Sequence, residues 1–178
     1  MSDARICMRD AAVLVPIYRA KDGELTLVLV RRTDRGMHGG QIAFPGGKRT
    51  PGDRTLVETA LRETGEEIGI PSDAVVILEH LPVIETRTTG FRIYPFLARV
   101  VRPLEWCLER NEIAEILEVP VEELSHPDAQ GEETRYLPAY PEPQRVSFCR
   151  VGAYKLWGAT YRILQPLIPR LNAGEWLV

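Results

Sequence analysis

Two apolar runs open the pattern. Residues 11–18 (AAVLVPIY) and 25–31 (LTLVLVR) are dense in Val, Leu and Ile, and Lys21-Asp22-Gly23 between them is a turn signal, so they predict a β-hairpin. Residues 32–40 become polar and glycine-rich, a loop, and residues 41–44 form a short strand that runs into Pro45-Gly46-Gly47. From Thr55 to Ile68 the period changes: Leu56, Val57, Ala60, Leu61, Thr64 and Ile68 share one side of a helix. Asp53 and Thr55 are both N-cap candidates, and Gly69 and Pro71 supply the stop. Residues 75–81, 91–100 and 145–151 predict strands, and 112–119 mixes apolar and acidic residues in a way that suits either type. Residues 157–171 predict a closing helix whose end Pro166 and Pro169 limit. Residues 127–143, rich in Pro, Glu, Asp and Gly, predict a mobile surface loop beside the site. Strands on both sides of one strong central helix, with a last helix for the other face, imply an α/β (α+β) fold: a mixed central sheet between helices, in a single domain over 1–178.

Composition narrows the class without naming a chemistry. Hydrophobic residues at 44% and charged residues at 26% are ordinary for a globular domain. The formal charge of -3 gives no general attraction for nucleic acid or an anionic membrane, and no apolar run is long enough to span a bilayer. The first ten residues carry two arginines and two aspartates and no apolar core, so they do not read as a signal peptide. Cys7, Cys107 and Cys149 form neither a CxxC pair nor an even set, which points to a reducing cytoplasm. Cys149, between strand-forming neighbours, reads as a buried structural thiol. No GxSxG elbow supports covalent acyl chemistry.

The informative stretch is residues 46–70, GGKRTPGDRTLVETALRETGEEIGI. At about 100° per residue, Glu63 and Glu67 lie one turn apart on the helix, and Glu66 sits beside them on the next row. The carboxylates line the edge of the apolar face. Like charges so spaced cost about 0.2–0.5 kcal/mol per pair on an exposed helix and more when buried. Arg62 and Lys48 offset part of this, and a hard divalent cation reverses its sign: Mg²⁺ is commonly held by one or two carboxylates, waters and substrate phosphates. Gly46, Gly47 and Gly52 let the main chain approach an anionic ligand at a helix entry that favours negative charge. Metal beside a diphosphate neutralises the leaving group and acidifies bound water, so the reaction class is attack of water on phosphorus.

These residues resemble the Nudix box, G, five residues, E, seven residues, R-E-U-x-E-E-x-G-U, with U aliphatic. Gly47, Arg62-Glu63, Glu66-Glu67 and Gly69-Ile70 match; Asp53 stands where Glu is usual, eight residues rather than seven separate it from Arg62, and Thr64 takes the aliphatic position. The longer spacing is similar to that of the coenzyme A diphosphatase branch, as is His38-Gly39-Gly40-Gln41-Ile42-Ala43-Phe44-Pro45-Gly46-Gly47 to its H-x-G-Q-x-x-F-P-G-G signature. Thr89-Gly90-Phe91, Val119-Pro120 and Leu156-Trp157-Gly158-Ala159-Thr160 resemble it too, so the likeness covers roughly residues 10–168. Gly36 and Thr50 depart: the branch usually has arginine and an acid there, with Arg35 adjacent to the first.

The resemblance implies Mg²⁺ or Mn²⁺ held by Glu63, Glu66 and Glu67, with Arg62 orienting the carboxylates. Glu63, Glu66, Arg62 and Glu112 are the catalytic candidates, with Glu115 expected one helical turn from Glu112 and Glu85 a weaker further acid. Arg31, Arg32, His38, Gly46 and Gly47 are the substrate-binding candidates. Trp157, spaced from Tyr161 and Leu164, reads as core rather than as a base-stacking platform. The implied substrate is a small nucleoside-diphosphate compound, coenzyme A or an acyl derivative first; the alternatives are ADP-ribose, NADH or a dinucleoside polyphosphate, and a non-catalytic nucleotide sensor. The expected partners include no nucleic acid and no membrane, and many relatives form homodimers.

Overall fold

The computed structural model describes residues 8–35, 39–86, 88–137 and 139–178. The first apolar run becomes β1 (Arg9–Arg19) and the second β2 (Leu25–Arg32). They pair antiparallel only beside their turn, Ile17 opposite Leu27 and Tyr18 opposite Thr26. There follow β3 (Ile42–Ala43), β4 (Gly46–Lys48), the helix α1 (Leu56–Ile68), β5 (Val75–His80), β6 (Ile84–Thr86), β7 (Phe91–Val100) and β8 (Ile113–Pro120). Beyond the hairpin turn, β1 parts from β2. It runs parallel to β7 and antiparallel to β4, while β2 pairs with β3 and β8. The sheet is therefore mixed, ordered β3-β2-β1-β7-β5 with β4, β6 and β8 as side branches.

The continuous apolar runs are explained by burial on both faces. Ala12, Leu14, Val28, Val30, Phe96 and Ala98 pack towards α1 with Ala60, Ile68 and Ile70. Val15, Ile17, Leu27, Leu29 and Leu97 pack on the opposite face. Three short helices cover that face: α2 (Val121–Ser125), α3 (Gly158–Leu164) and α4 (Ile168–Asn172). They contribute Leu124, Ile163, Leu164, Ile168 and Leu171 to the core. With them lies a small antiparallel sheet of β9 (Gln130–Arg135), β10 (Gln144–Val151) and β11 (Tyr154–Trp157), contributing Cys149, Val151 and Leu156.

Three sequence expectations change. Residues 127–143 are not one loop: they hold a 3-10 turn at Pro127–Ala129 and then β9, which pairs with β10 from Gln130 opposite Cys149 to Arg135 opposite Gln144. The closing helix is split. Trp157 ends β11, and the chain re-forms as α4 only at Ile168, with Pro169 in the first turn where its missing N–H costs nothing. Trp157 is half-buried, with the Arg135 guanidinium 4.4 Å from its ring centroid. Residues 112–119 resolve as a strand, so Glu115 is not one helical turn from Glu112.

α1 keeps its predicted bounds. Thr55 caps it, its hydroxyl accepting the Glu58 N–H at 3.1 Å, and Gly69 ends it in the left-handed conformation at φ 75°. The helix is rotated slightly from the sequence expectation: Thr59, Ala60, Thr64, Glu67 and Ile68 are buried, while Leu61 is half-buried. Thr64 therefore places a hydroxyl in the core, and its Oγ1 finds no hydrogen-bond partner among the described residues. A buried unsatisfied hydroxyl is destabilising, and an apolar group of the same shape removes the penalty. Thr64→Val is expected to raise the free energy of unfolding by roughly 1 kcal/mol. Urea unfolding of the two proteins at one pH measures it, and an unchanged or lower midpoint contradicts the assignment.

Candidate active site

The site is built where β4 slides between β1 and α1. Gly46 lies at φ 149°, and a Cβ there would overlap Ala12 and Val13 of β1. A Cβ on Gly47 would overlap the Glu63 carboxylate on the other side. The two glycines thus let a helix edge carrying acids press directly on backbone. Gly46 N–H donates to Glu67 Oε2 at 2.8 Å.

Glu67 is 3% exposed. Burial pushes its carboxyl up to about 7, and the nearby Glu63 and Glu112 charges push the same way; the Gly46 N–H and the Arg32 guanidinium oppose them. Arg32, from the end of β2, reaches Glu67 Oε1 at 3.4 Å and Glu112 Oε2 at 3.8 Å. Glu63, whose side chain is 17% exposed, is also raised, by burial first, with Arg62 acting against it and Glu66 and Glu112 adding to it. Glu66, 60% exposed, faces outward.

Arg62 is fixed on the outer side of these acids. Its Nε and Nη2 donate to the two oxygens of Asp53 at 2.9 and 3.0 Å, a bidentate pair, and Nη2 also reaches the Lys48 carbonyl at 3.2 Å. Its Nη1 contacts Glu63 at 2.8 Å and Glu66 at 3.1 Å. Asp53 is buried and receives the Thr50 N–H at 2.8 Å and the Thr59 hydroxyl at 3.0 Å. Arg62 above all, then the Thr50 N–H, holds its carboxyl well below the usual carboxylate range. Asp53 is therefore no N-cap. It is an anchor for Arg62, a role that its spacing from Arg62 alone did not reveal.

Of the residues singled out in the sequence, the structure brings together Glu63, Glu67, Arg62, Arg32, Gly46, Gly47 and, across from them, the exposed Glu112. Arg31 points to the other face of the sheet, paired with Asp34 at 3.3 Å and with Glu115 at 3.6 Å, and Glu115 accepts from Tyr154 at 2.7 Å. Glu85 pairs with Arg92 on β6 and β7. His38 and Cys7 lie outside the described residues. Cys149 is fully buried, as a structural thiol should be. Among the described residues, no three Asp, Glu, His or Cys side chains already surround one point as the shell of an ion would. Arg62 and Arg32 supply the compensating charge instead. The carboxylates nonetheless fit a hard cation in kind: they are oxygen donors crowded on one helical edge, with Glu63 and Glu67 raised above their ordinary values.

A NUDIX domain model matches residues 8–140. The chain belongs to the Nudix hydrolases. It is 36% identical over 169 residues to the uncharacterized Nudix hydrolase NudL of Pectobacterium atrosepticum, covering 92% of this chain and 83% of that protein. It is 37% identical over 179 residues to the NudL of Cronobacter sakazakii, covering 98% and 88%. The fold is similar to the crystal structure of the M. smegmatis Nudix hydrolase RenU, with a TM-score of 0.64 at 16% identity over 96% of this chain and 89% of that one. As a Nudix hydrolase the chain is an enzyme acting on phosphorus anhydrides of small molecules, in a family that generally uses divalent metals. No helix among the described residues is long and apolar enough to cross a membrane.

The raised Glu67 carboxyl couples stability to pH in a definite direction. Its folded value, about 7, exceeds its ordinary value of 4.5, so the folded state holds a proton that the unfolded state releases. Stability contributed by that proton is complete at low pH and is lost as pH rises from about 4.5 through 7. In chelator, Glu67→Gln is expected to be more stable than the parent at pH 8, by up to about 3 kcal/mol, with the gap closing below pH 5. Urea unfolding at the two pH values tests this; a gap independent of pH counts against burial as the cause.

Proposed function

We propose that this Nudix hydrolase cleaves the diphosphate of coenzyme A or its acyl derivatives, releasing a 4'-phosphopantetheine and adenosine 3',5'-bisphosphate. One observation carries the reading. The segment that resembles the coenzyme A diphosphatase signature, residues 38–47, ends in Gly46, whose N–H Glu67 accepts, and Gly47, against whose backbone Glu63 packs. The last two residues of that segment thus lie against the acids of the Nudix box.

In this reading Glu63 and Glu67, with Glu66 at the rim, would hold Mg²⁺ or Mn²⁺, and Glu112 faces them from the turn just before β8. The metal, when bound, supplies charge neutralisation at the diphosphate and a more acidic water. The chain supplies the rest. Gly46 and Gly47 let the main chain come close to the phosphates. Arg62, anchored by Asp53, orients the Glu63 and Glu66 oxygens, and Arg32 balances Glu67 and Glu112. Thr50 and Gly36, where the coenzyme A pattern carries an acid and an arginine, are the features that favour ADP-ribose, NADH or a dinucleoside polyphosphate instead.

Coenzyme A and acyl-coenzyme A are expected to give the highest kcat/KM in a panel with those three alternatives, with products separated by chromatography and activity lost in chelator. Glu67→Gln is expected to lower kcat by on the order of 10²-fold or more. Coenzyme A left intact where ADP-ribose is cut removes the substrate assignment. An unchanged rate in Glu67→Gln removes the site assignment, and absence of turnover on every substrate favours a nucleotide sensor.

A further inference from the structure

A second charged feature lies on the other side of β4. Along this three-residue strand Gly47 turns towards Glu63, so Lys48 turns away from α1. There a cleft of about 400 Å³ is lined by Arg9, Asp10, Lys48, Arg49, Thr50, Pro51 and Asp53. The register explains the gathering. Ala11 of β1 pairs with Lys48, Arg9 pairs with Phe91 of β7, and the Arg49 N–H donates to the Asp10 carbonyl at 3.0 Å.

The cations of this cleft are exposed, and among the described residues none of them forms an ion pair. The Arg9 guanidinium lies 4.4 Å and the Lys48 ammonium 5.7 Å from the centroid of the Phe91 ring, so one aromatic side chain holds two like charges together. Arg9 otherwise donates to the Thr89 carbonyl, and Arg49 to the carbonyls of Asp53 and Arg54. None of the three has a carboxylate partner among the described residues, whereas neighbouring Arg54, Arg62 and Arg92 pair with Glu58, Asp53 and Glu85. Of the lining acids, Asp53 is already engaged by Arg62, Thr50 and Thr59, which leaves Asp10 alone against three cations.

We propose that Arg9, Lys48 and Arg49 form a subsite for a phosphate monoester that the substrate carries in addition to its scissile diphosphate. The proposal rests on the diphosphatase reading above and deepens it by naming a substrate feature. The position suits it: Lys48 follows Gly47, against which Glu63 packs, one Cα step of about 3.8 Å away, and the Lys48 carbonyl holds Arg62. A ligand can therefore touch the acid edge and the cationic cleft at once. The cations select for a dianion rather than a neutral hydroxyl, because a phosphate monoester reverses their mutual repulsion.

Binding without turnover tests this separately from catalysis. Coenzyme A and 3'-dephospho-coenzyme A, which share the diphosphate and differ only in the extra phosphate monoester, are titrated calorimetrically into the protein in chelator. The parent is expected to prefer coenzyme A by about tenfold or more. Arg9→Gln/Lys48→Gln, and Lys48→Gln in part, are expected to abolish that preference; both positions are exposed, and a thermal melt checks the fold. The control Arg99→Gln/Arg110→Gln, which removes equal charge at exposed positions outside the cleft, is expected to keep it. Selectivity that behaves this way supports the subsite whether or not coenzyme A is cut. Absence of preference in the parent, its survival in the cleft variant, or equal loss in the control overturns the proposal.

Discussion

The arrangement depends on one hydrogen bond to a buried charge-bearing group, the Gly46 N–H that Glu67 accepts. A carboxyl group taken out of water is costly unless its oxygens are satisfied. The chain meets that requirement with backbone from β4 and a guanidinium from β2, and both are available only if β4 lies close to α1. Two side-chain-free positions make that closeness possible, Gly46 against β1 and Gly47 against Glu63. Helix orientation, strand spacing and acid placement are thus one constraint. Moving the helix by a fraction of a turn would strand Glu67 without its donor.

The two arginines do different work around that constraint. Arg32 sits between Glu67 and Glu112 at the longer separations of 3.4 and 3.8 Å, a loose balance of charge across the gap between α1 and β8. Arg62 is held tightly on the far side by Asp53 and the Lys48 carbonyl, so only one of its nitrogens spans Glu63 and Glu66. The consequence is directional. Glu63 can turn away from Arg62 without dragging the guanidinium along, because Asp53, kept ionised by its hydrogen bonds, retains it.

The hairpin, α1 with its Gly69 stop, and β7 are legible in the sequence because each has an unmixed period and a distinct end, while the N-cap of α1 stays open there between Asp53 and Thr55. The acids of α1 and the glycines of β4 are legible for the same reason, as a spacing pattern. What the sequence hides has physical causes. β9 is QGEETR, polar throughout, and is a strand only because β10 supplies its ladder. The β10–β11 turn, with Gly152 at φ 55° between Val151 and Tyr154, was the available sign that the chain pairs back through residue 157, so that Trp157 ends a strand rather than beginning a helix. Asp53 carries cap chemistry in its side chain, yet Thr55 captures the cap, and only the fold of the Thr50–Thr55 turn aims Asp53 at Arg62. Arg31 and Arg32 are adjacent and chemically alike; strand alternation sends one to Glu67 and the other to Glu115 on the opposite face, a choice that register alone makes.

β4 finally acts as a divider of charge. One of its sides presents backbone to carboxylates, and the next residue along presents an ammonium to a cleft of cations. An anionic substrate arriving without compensation is repelled by the first side and attracted by the second. In the proposed reading, the cations meet the anionic substrate first and the acid edge receives its diphosphate second. The reverse order would bring phosphate to carboxylates first. The glycine pair therefore does more than permit close packing: by keeping the divider one strand thick, it puts opposite charges within reach of a single small molecule.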